Sequence, residues 1–99
     1  FTPRYAQPFT LTEAIALDTT VITDEIARLQ NSLKHLEETQ ELLRQHISEI
    51  AECDMDVEAA ARENEETMFV RPVGSQKERI AMLKLALIEK GVILPSSHY

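Results

Sequence analysis

The chain of 99 residues has no tryptophan, two glycines and one cysteine, and ten Lys and Arg stand against seventeen Asp and Glu. Each shortage removes a class of function. A lone Cys53 cannot form an internal disulfide, so an intracellular, reducing setting fits best. Gly74 and Gly91 make no phosphate-cradling loop. A net charge of −7 argues against binding a nucleic-acid backbone and makes a basic protein surface the natural electrostatic complement. No apolar run is long enough to span a membrane. The chain begins at Phe1 rather than Met and reads as a trimmed piece, which leaves a targeting segment ahead of it open.

Catalytic groups are equally scarce. His35 and His46 are eleven residues apart, about 16 Å along a helix, too far to share a metal. Cys53 lies among carboxylates, which raise a thiol pKa and so weaken it as a nucleophile. No convergent acid–base set can be assembled from the rest. The expectation is a protein without catalytic residues, metal or cofactor.

What the chain has is a periodic stretch from Val21 to Cys53 with no Gly or Pro. With Ile26 at heptad position a, Ile26, Leu33, Gln40 and Ile47 occupy a, and Leu29, Leu36, Leu43 and Ile50 occupy d. Seven of these eight positions are apolar. The pattern predicts a helix of about 33 residues, roughly 50 Å long, with a narrow apolar seam that must find a partner helix. Gln40, the polar exception, reads as a register or specificity device.

The rest of the chain can supply that partner. Residues 1–9 carry two prolines and no periodicity and read either as an extended arm, with Phe1, Tyr5 and Phe9 as candidate anchors, or as a disordered tail. Thr10 to Glu13 has capping-box spacing and predicts a short helix over about 11–17, which must dock. Asp18, Thr19 or Thr20 then caps the long helix. A turn near Cys53–Asp56 leads into a second helix over about 56–70, with Val57, Ala61, Asn64 and Met68 as its stripe. Pro72 and Gly74 predict a break. Ser75 to Glu78 is a second capping-box spacing and predicts a restart, through about Lys90, with Gly91 as the stop. On this last helix Ile80, Leu83 and Leu87 form one stripe, and Ala81, Leu85 and Ile88 a second for the short helix to cover. The two return segments add up to roughly 46 Å, nearly the length of the long helix.

The expected fold is therefore all-α: a long antiparallel, coiled-coil-like helical hairpin with a short N-terminal helix packed at its base and a return arm broken near Pro72. Residues 1–9 form the arm, 10–91 the hairpin domain and 92–99 a C-terminal tail. Two surfaces are candidates for binding. Between Glu49 and Glu66 eight of eighteen residues are acidic and only Arg62 is basic, which reads as a solvated tip or as a dock for a basic partner. Leu42 at an outward c position, Phe69 beside the break, and Val92, Ile93 and Leu94 are apolar residues left over after the hairpin closes.

Three elements carry a resemblance: Glu25–Leu36 (EIARLQNSLKHL), Arg62–Glu65 (REN followed by E) and Glu78–Leu83 (ERIAML). Over about residues 8–90 the chain resembles a fungal family of small helical chaperones. This is the ATPase-dedicated proteasome assembly chaperone, also catalogued as a translation-machinery-associated protein. The resemblance implies a non-catalytic protein that binds a proteasomal ATPase subunit during regulatory-particle assembly, and the expected setting is the cytoplasm, with the nucleus as a second option. It marks Arg62, Glu63, Asn64 and Glu65 without assigning them a role. The chain departs from the family at Val70–Gly74, extra residues where the family has a shorter, unbroken return helix. With the acidic and apolar surfaces, the candidate partner-binding set is Leu42, Glu58, Arg62, Glu63, Asn64, Glu65, Glu66 and Phe69. Neither nucleic acid nor membrane is expected as a partner. A coiled-coil oligomerisation or scaffold module, homodimeric or joined to another subunit, is the alternative reading.

Overall fold

The proline- and glycine-free stretch forms one helix of 33 residues, α2, Thr19–Ala51. Its first backbone bond runs from the Ile22 N–H to the Asp18 carbonyl at 3.0 Å, so Asp18 occupies the N-cap position. The computed structural model describes residues 2–51 and 55–94. Around α2 lie α1, Leu11–Ile15, then α3, Met55–Glu65, a π-helical turn at Glu66–Val70, and α4, Arg71–Glu89. Together α3, the π turn and α4 run back along α2 as a hairpin whose longest dimension is 55 Å. The tip at residues 52–54 lies outside the described residues, as do the end of the predicted tail, residues 95–99, and the candidate anchor Phe1.

The heptad reading holds from Ile26 to Ile47, and the side chain of Ile50 lies outside the described residues. Ile26, Leu29, Gln40 and Ile47 are buried, and Leu33, Leu36 and Leu43 are half-buried. The core is concentrated at the base, where α1 packs on α4 and both meet the start of α2. Ala14, Ile22, Ile26, Leu29, Ile80, Leu83, Ala86 and Leu87 are buried together, with Phe9, Leu11, Ile15, Leu17 and Leu33 packed around them. Ile22 stands one heptad before Leu29, so the seam starts a turn earlier than the pattern from Ile26 suggests.

Local signals hold the ends. In α1 the Glu13 N–H donates to Thr10 Oγ1 at 3.1 Å and the Thr10 N–H to Glu13 Oε1 at 3.0 Å, which completes the predicted capping box. The helix stops at Ile15, shorter than expected, and Lys90 reaches its end from the end of α4. Its Nζ donates to the Ile15 and Leu17 carbonyls at 2.8 and 2.9 Å. Gly91, at φ 74°, ends α4. The Val92 N–H bonds the Leu87 carbonyl and the Gly91 N–H bonds that of Ile88, both at 2.9 Å, a paired closure that needs the left-handed conformation glycine tolerates.

The return arm corrects four expectations. The discontinuity lies one turn before Pro72, but it is a wide turn inside a continuous helix and not an end with a restart after it. The Arg71 N–H bonds back five residues to the Glu66 carbonyl, and Glu65, Val70 and Arg71 all keep right-handed helical angles. Widening the turn relieves the clash a proline ring makes with the carbonyl four residues earlier. Pro72 then sits in the first turn of α4, where a missing N–H matters least. Helix therefore runs on through Val73 and Gly74, and Ser75–Glu78 is not a capping box. The inward stripe of the return arm is also different: Glu58, Ala61, Glu65 and Phe69 turn inward, Asn64 and Met68 are exposed, and the Val57 side chain lies outside the described residues. On α4 the expected second stripe is only partly covered, with Ala81 exposed and Leu85 and Ile88 half-buried. The N-terminal segments instead cover Met82 and Ala86, both buried.

The arm itself is docked. Pro3, Tyr5, Gln7 and Phe9 are half-buried while Thr2, Arg4, Ala6 and Pro8 are exposed, the alternation of an extended strand lying on a surface. The Glu78 carboxylate accepts the N–H groups of both Arg4 and Tyr5, the latter at 2.9 Å. Gln7 Nε2 donates to the Ser75 carbonyl at 3.0 Å, and Arg79 Nε donates to Gln7 Oε1 at 2.8 Å. The Tyr5 ring lies so close to Gly74 that a Cβ there would stand 2.7 Å from Cε2. Only a residue without a side chain accepts the ring at that distance.

Candidate protein-binding face on the outer hairpin

Beyond the base the hairpin is two helices thick, and its seam is held as much by polar contacts as by apolar ones. Gln40 faces Glu65 across the interface, donating from Nε2 to Oε1 at 2.8 Å, and Arg44 Nε donates to the same oxygen at 2.6 Å. Hydrogen bonding from Gln40 first, and from Arg44 next, holds the Glu65 carboxyl below the usual carboxylate range. The one polar seam residue of α2 is thus matched to one carboxylate of the return arm, which sets the register as Gln40 led us to expect. One turn along, Arg62 pairs with Glu58 at 2.6 Å on the same helix. Nearer the base, Lys77 Nζ lies 3.5 Å from Glu37 Oε1.

These charges border a cleft of about 280 Å³ between α2 and α3, lined by Arg44, Ile47, Ser48, Glu58, Arg62 and Glu65. Three of the residues selected from sequence, Glu58, Arg62 and Glu65, meet there. Glu63, Asn64 and Glu66 are exposed on the outside of the return arm, with Arg71 Nε 3.9 Å from Glu66. Leu42 is 67% exposed, as its c position implies. Phe69 is a correction: it is 4% exposed and belongs to the hairpin interior, while its neighbour Met68 is exposed. Phe69 falls four residues after Glu65 and eight after Ala61, on the same inward stripe, whereas Met68 lies one residue off it. Arg44, Ile47 and Ser48 were missed. In the sequence they occupy unremarkable e, a and b positions, and only the antiparallel register places them opposite Arg62 and Glu65.

A second surface lies on α2 alone, a shallow groove of about 420 Å³ lined by Gln30, Leu33, Lys34, Glu37, Glu38 and Glu41. It is acidic at one end and apolar where Leu33 emerges from the seam. His35 and His46 are exposed, each about one turn from a carboxylate, at 4.0 Å from Glu38 and 3.9 Å from Glu49. Among the described residues no group of His, Cys, Asp and Glu is arranged to hold a metal. Also among them, no helix is long and apolar enough to cross a membrane.

A hairpin of this kind, charged along its outer seam and packed at its base, matches the TMA17 helical domain over residues 7–93. The chain belongs to that family. The family is that of the ATPase-dedicated proteasome assembly chaperone, and its members are chaperones. The match spans α1, α2 and the whole return arm, and it includes the Val70–Gly74 segment. No curated protein and no solved structure matches the chain.

Proposed function

We propose that the protein is a non-catalytic assembly chaperone that binds a proteasomal ATPase subunit during regulatory-particle assembly, through the outer half of its hairpin. The family match over residues 7–93 carries the reading. The physical support is an unfinished interface. Leu36 and Leu43 are only half-buried where the hairpin is two helices thick, and Leu42 is exposed beside them. A further helix lying along this face would bury them as a third member of the bundle. Glu37, Glu38 and Glu41 on one side and Glu63 and Glu66 on the other favour a basic partner and speed its encounter. Glu58 and Glu65 are committed to Arg62, Arg44 and Gln40, so they shape the face and contribute less free charge. Asn64 and Arg62 complete its rim.

The test is association and dissociation kinetics against purified proteasomal ATPase subunits, with helicity confirmed for each variant. Leu42→Asp is expected to speed dissociation without unfolding, because the side chain is exposed. Paired reversal of Glu63 and Glu66 to Lys is expected to slow association and flatten its salt dependence. If no ATPase subunit binds the parent protein, the reading fails.

A further inference from the structure

The return helix contains its least helix-compatible residues at one place. Val70 to Ser75 reads Val-Arg-Pro-Val-Gly-Ser, with a π turn immediately before it, yet the backbone is helical throughout. Proline and glycine are the two poorest helix residues, and β-branched valines on either side of Pro72 add nothing to compensate. Something outside the segment has to hold it.

The arm lies there. Its ring contact falls on Gly74, its Gln7 amide on the Ser75 carbonyl, and its two successive N–H groups on Glu78, with Arg79 closing on Gln7. These four contacts cover the first turns after Pro72 and join residues some seventy positions apart. All but the ring contact are polar, and they are exposed or only partly buried, so each is weak and open to water. Further along, Phe9 and Leu11 pack against the base core, and Met82 underlies Pro3, Gln7 and Phe9. That anchorage keeps the arm near its seat even when the outer contacts open.

We propose that the N-terminal arm is a detachable splint. The face from Gly74 to Met82 is a seat for an extended segment, occupied by the chain's own residues 3–9, and occupation keeps the return helix continuous across Pro72–Gly74. With the arm seated, the outer half of the hairpin moves as one rod with the base. With the arm lifted, the return helix hinges at Pro72–Gly74, and the outer half gains freedom relative to the base. This inference does not depend on the identity of the partner.

Amide hydrogen exchange on the full chain tests it. In the double variant Tyr5→Ala with Glu78→Ala, amides from Val73 to Arg79 are expected to exchange about tenfold faster or more, while those of Ile26–Leu33 keep their protection. The Glu78 substitution raises intrinsic helix propensity, so loosening of the helix in that variant is attributable to the lost arm. Adding Pro72→Ala is then expected to return Val73–Arg79 to parental protection, because an unbroken helix needs no splint. Unchanged exchange in the double variant overturns the proposal. So does a rise spread equally over Ile26–Leu33, which would make the arm one more part of the global core, and so does failure of Pro72→Ala to restore protection.

Discussion

Truncating Leu29 to alanine probes where the stability of the hairpin resides. Leu29 is 1% exposed and shares the base core with Ile26, Ile80 and Leu83, which belong to two long helices that cannot both move inward to fill a gap. Buried Leu→Ala changes destabilise by about 2–5 kcal/mol, and a site that cannot collapse falls in the upper part of that range, roughly 3–4 kcal/mol. For a domain of this size each kcal/mol corresponds to about 4–8 °C in Tm, so a fall of at least about 12 °C is expected. Leu43 has the same heptad position two turns of the repeat later, but it is half-buried on the two-helix part. Its truncation leaves little cavity and removes mainly transfer free energy, roughly 1–2 kcal/mol. Glu38→Ala, exposed on the outer face, is expected to change stability by less than about 0.5 kcal/mol. Thermal unfolding measured by circular dichroism, with urea titration as a check, gives the three values. Equal losses for Leu29→Ala and Leu43→Ala would refute the argument, because they would mean that the seam is packed to the same depth along its whole length.

The polar contacts have measurable consequences of their own. The folded Glu65 carboxyl titrates below its unfolded value, so its contribution to stability is complete above the ordinary carboxylate range and is lost as pH falls through the folded pKa. Glu65→Gln should therefore flatten the acid limb of a plot of Tm against pH. Some slope should remain, since the hydrogen bond from Arg28 lowers Glu25 in the same direction. Lys90→Met removes the donor to the Ile15 and Leu17 carbonyls and is expected to lower stability by roughly 1 kcal/mol, with early exchange in α1. Gly74→Ala, which raises helix propensity by about 1 kcal/mol on an open helix, forces the Tyr5 ring to shift and is expected to stabilise the parent by less than it stabilises a Tyr5→Ala background. An equal gain in both backgrounds would place the ring elsewhere.

Much of the architecture was legible in residue order because its causes are local. The absence of Gly and Pro across α2, the apolar spacing from Ile26 to Ile47, the reciprocal Thr10–Glu13 cap and the left-handed Gly91 each act within about one heptad, so periodicity and capping rules reach them. Gln40 was also readable, since a single polar residue on an apolar seam demands a partner, although nothing in the sequence said that the partner was Glu65. The candidate binding face was half legible. Its charges and Leu42 could be named, but Phe69 could not be told from Met68, because a stripe made mostly of alanine and glutamate leaves its phase open until the antiparallel register decides which side faces α2.

Only tertiary structure decided the course of the helix through Pro72 and Gly74. Local propensity favours a break there, and the local reading of Ser75–Glu78 as a cap agrees with it. The wide turn takes up Pro72, and the extended arm, about seventy residues away in sequence, arrives on the same face in space and bonds the helix beyond it. Glu78 had two uses available, its own helix start or the amides of Arg4 and Tyr5. The second prevails because α1 carries the arm to the base of the hairpin, where those unpaired N–H groups come to lie against the Glu78 carboxylate.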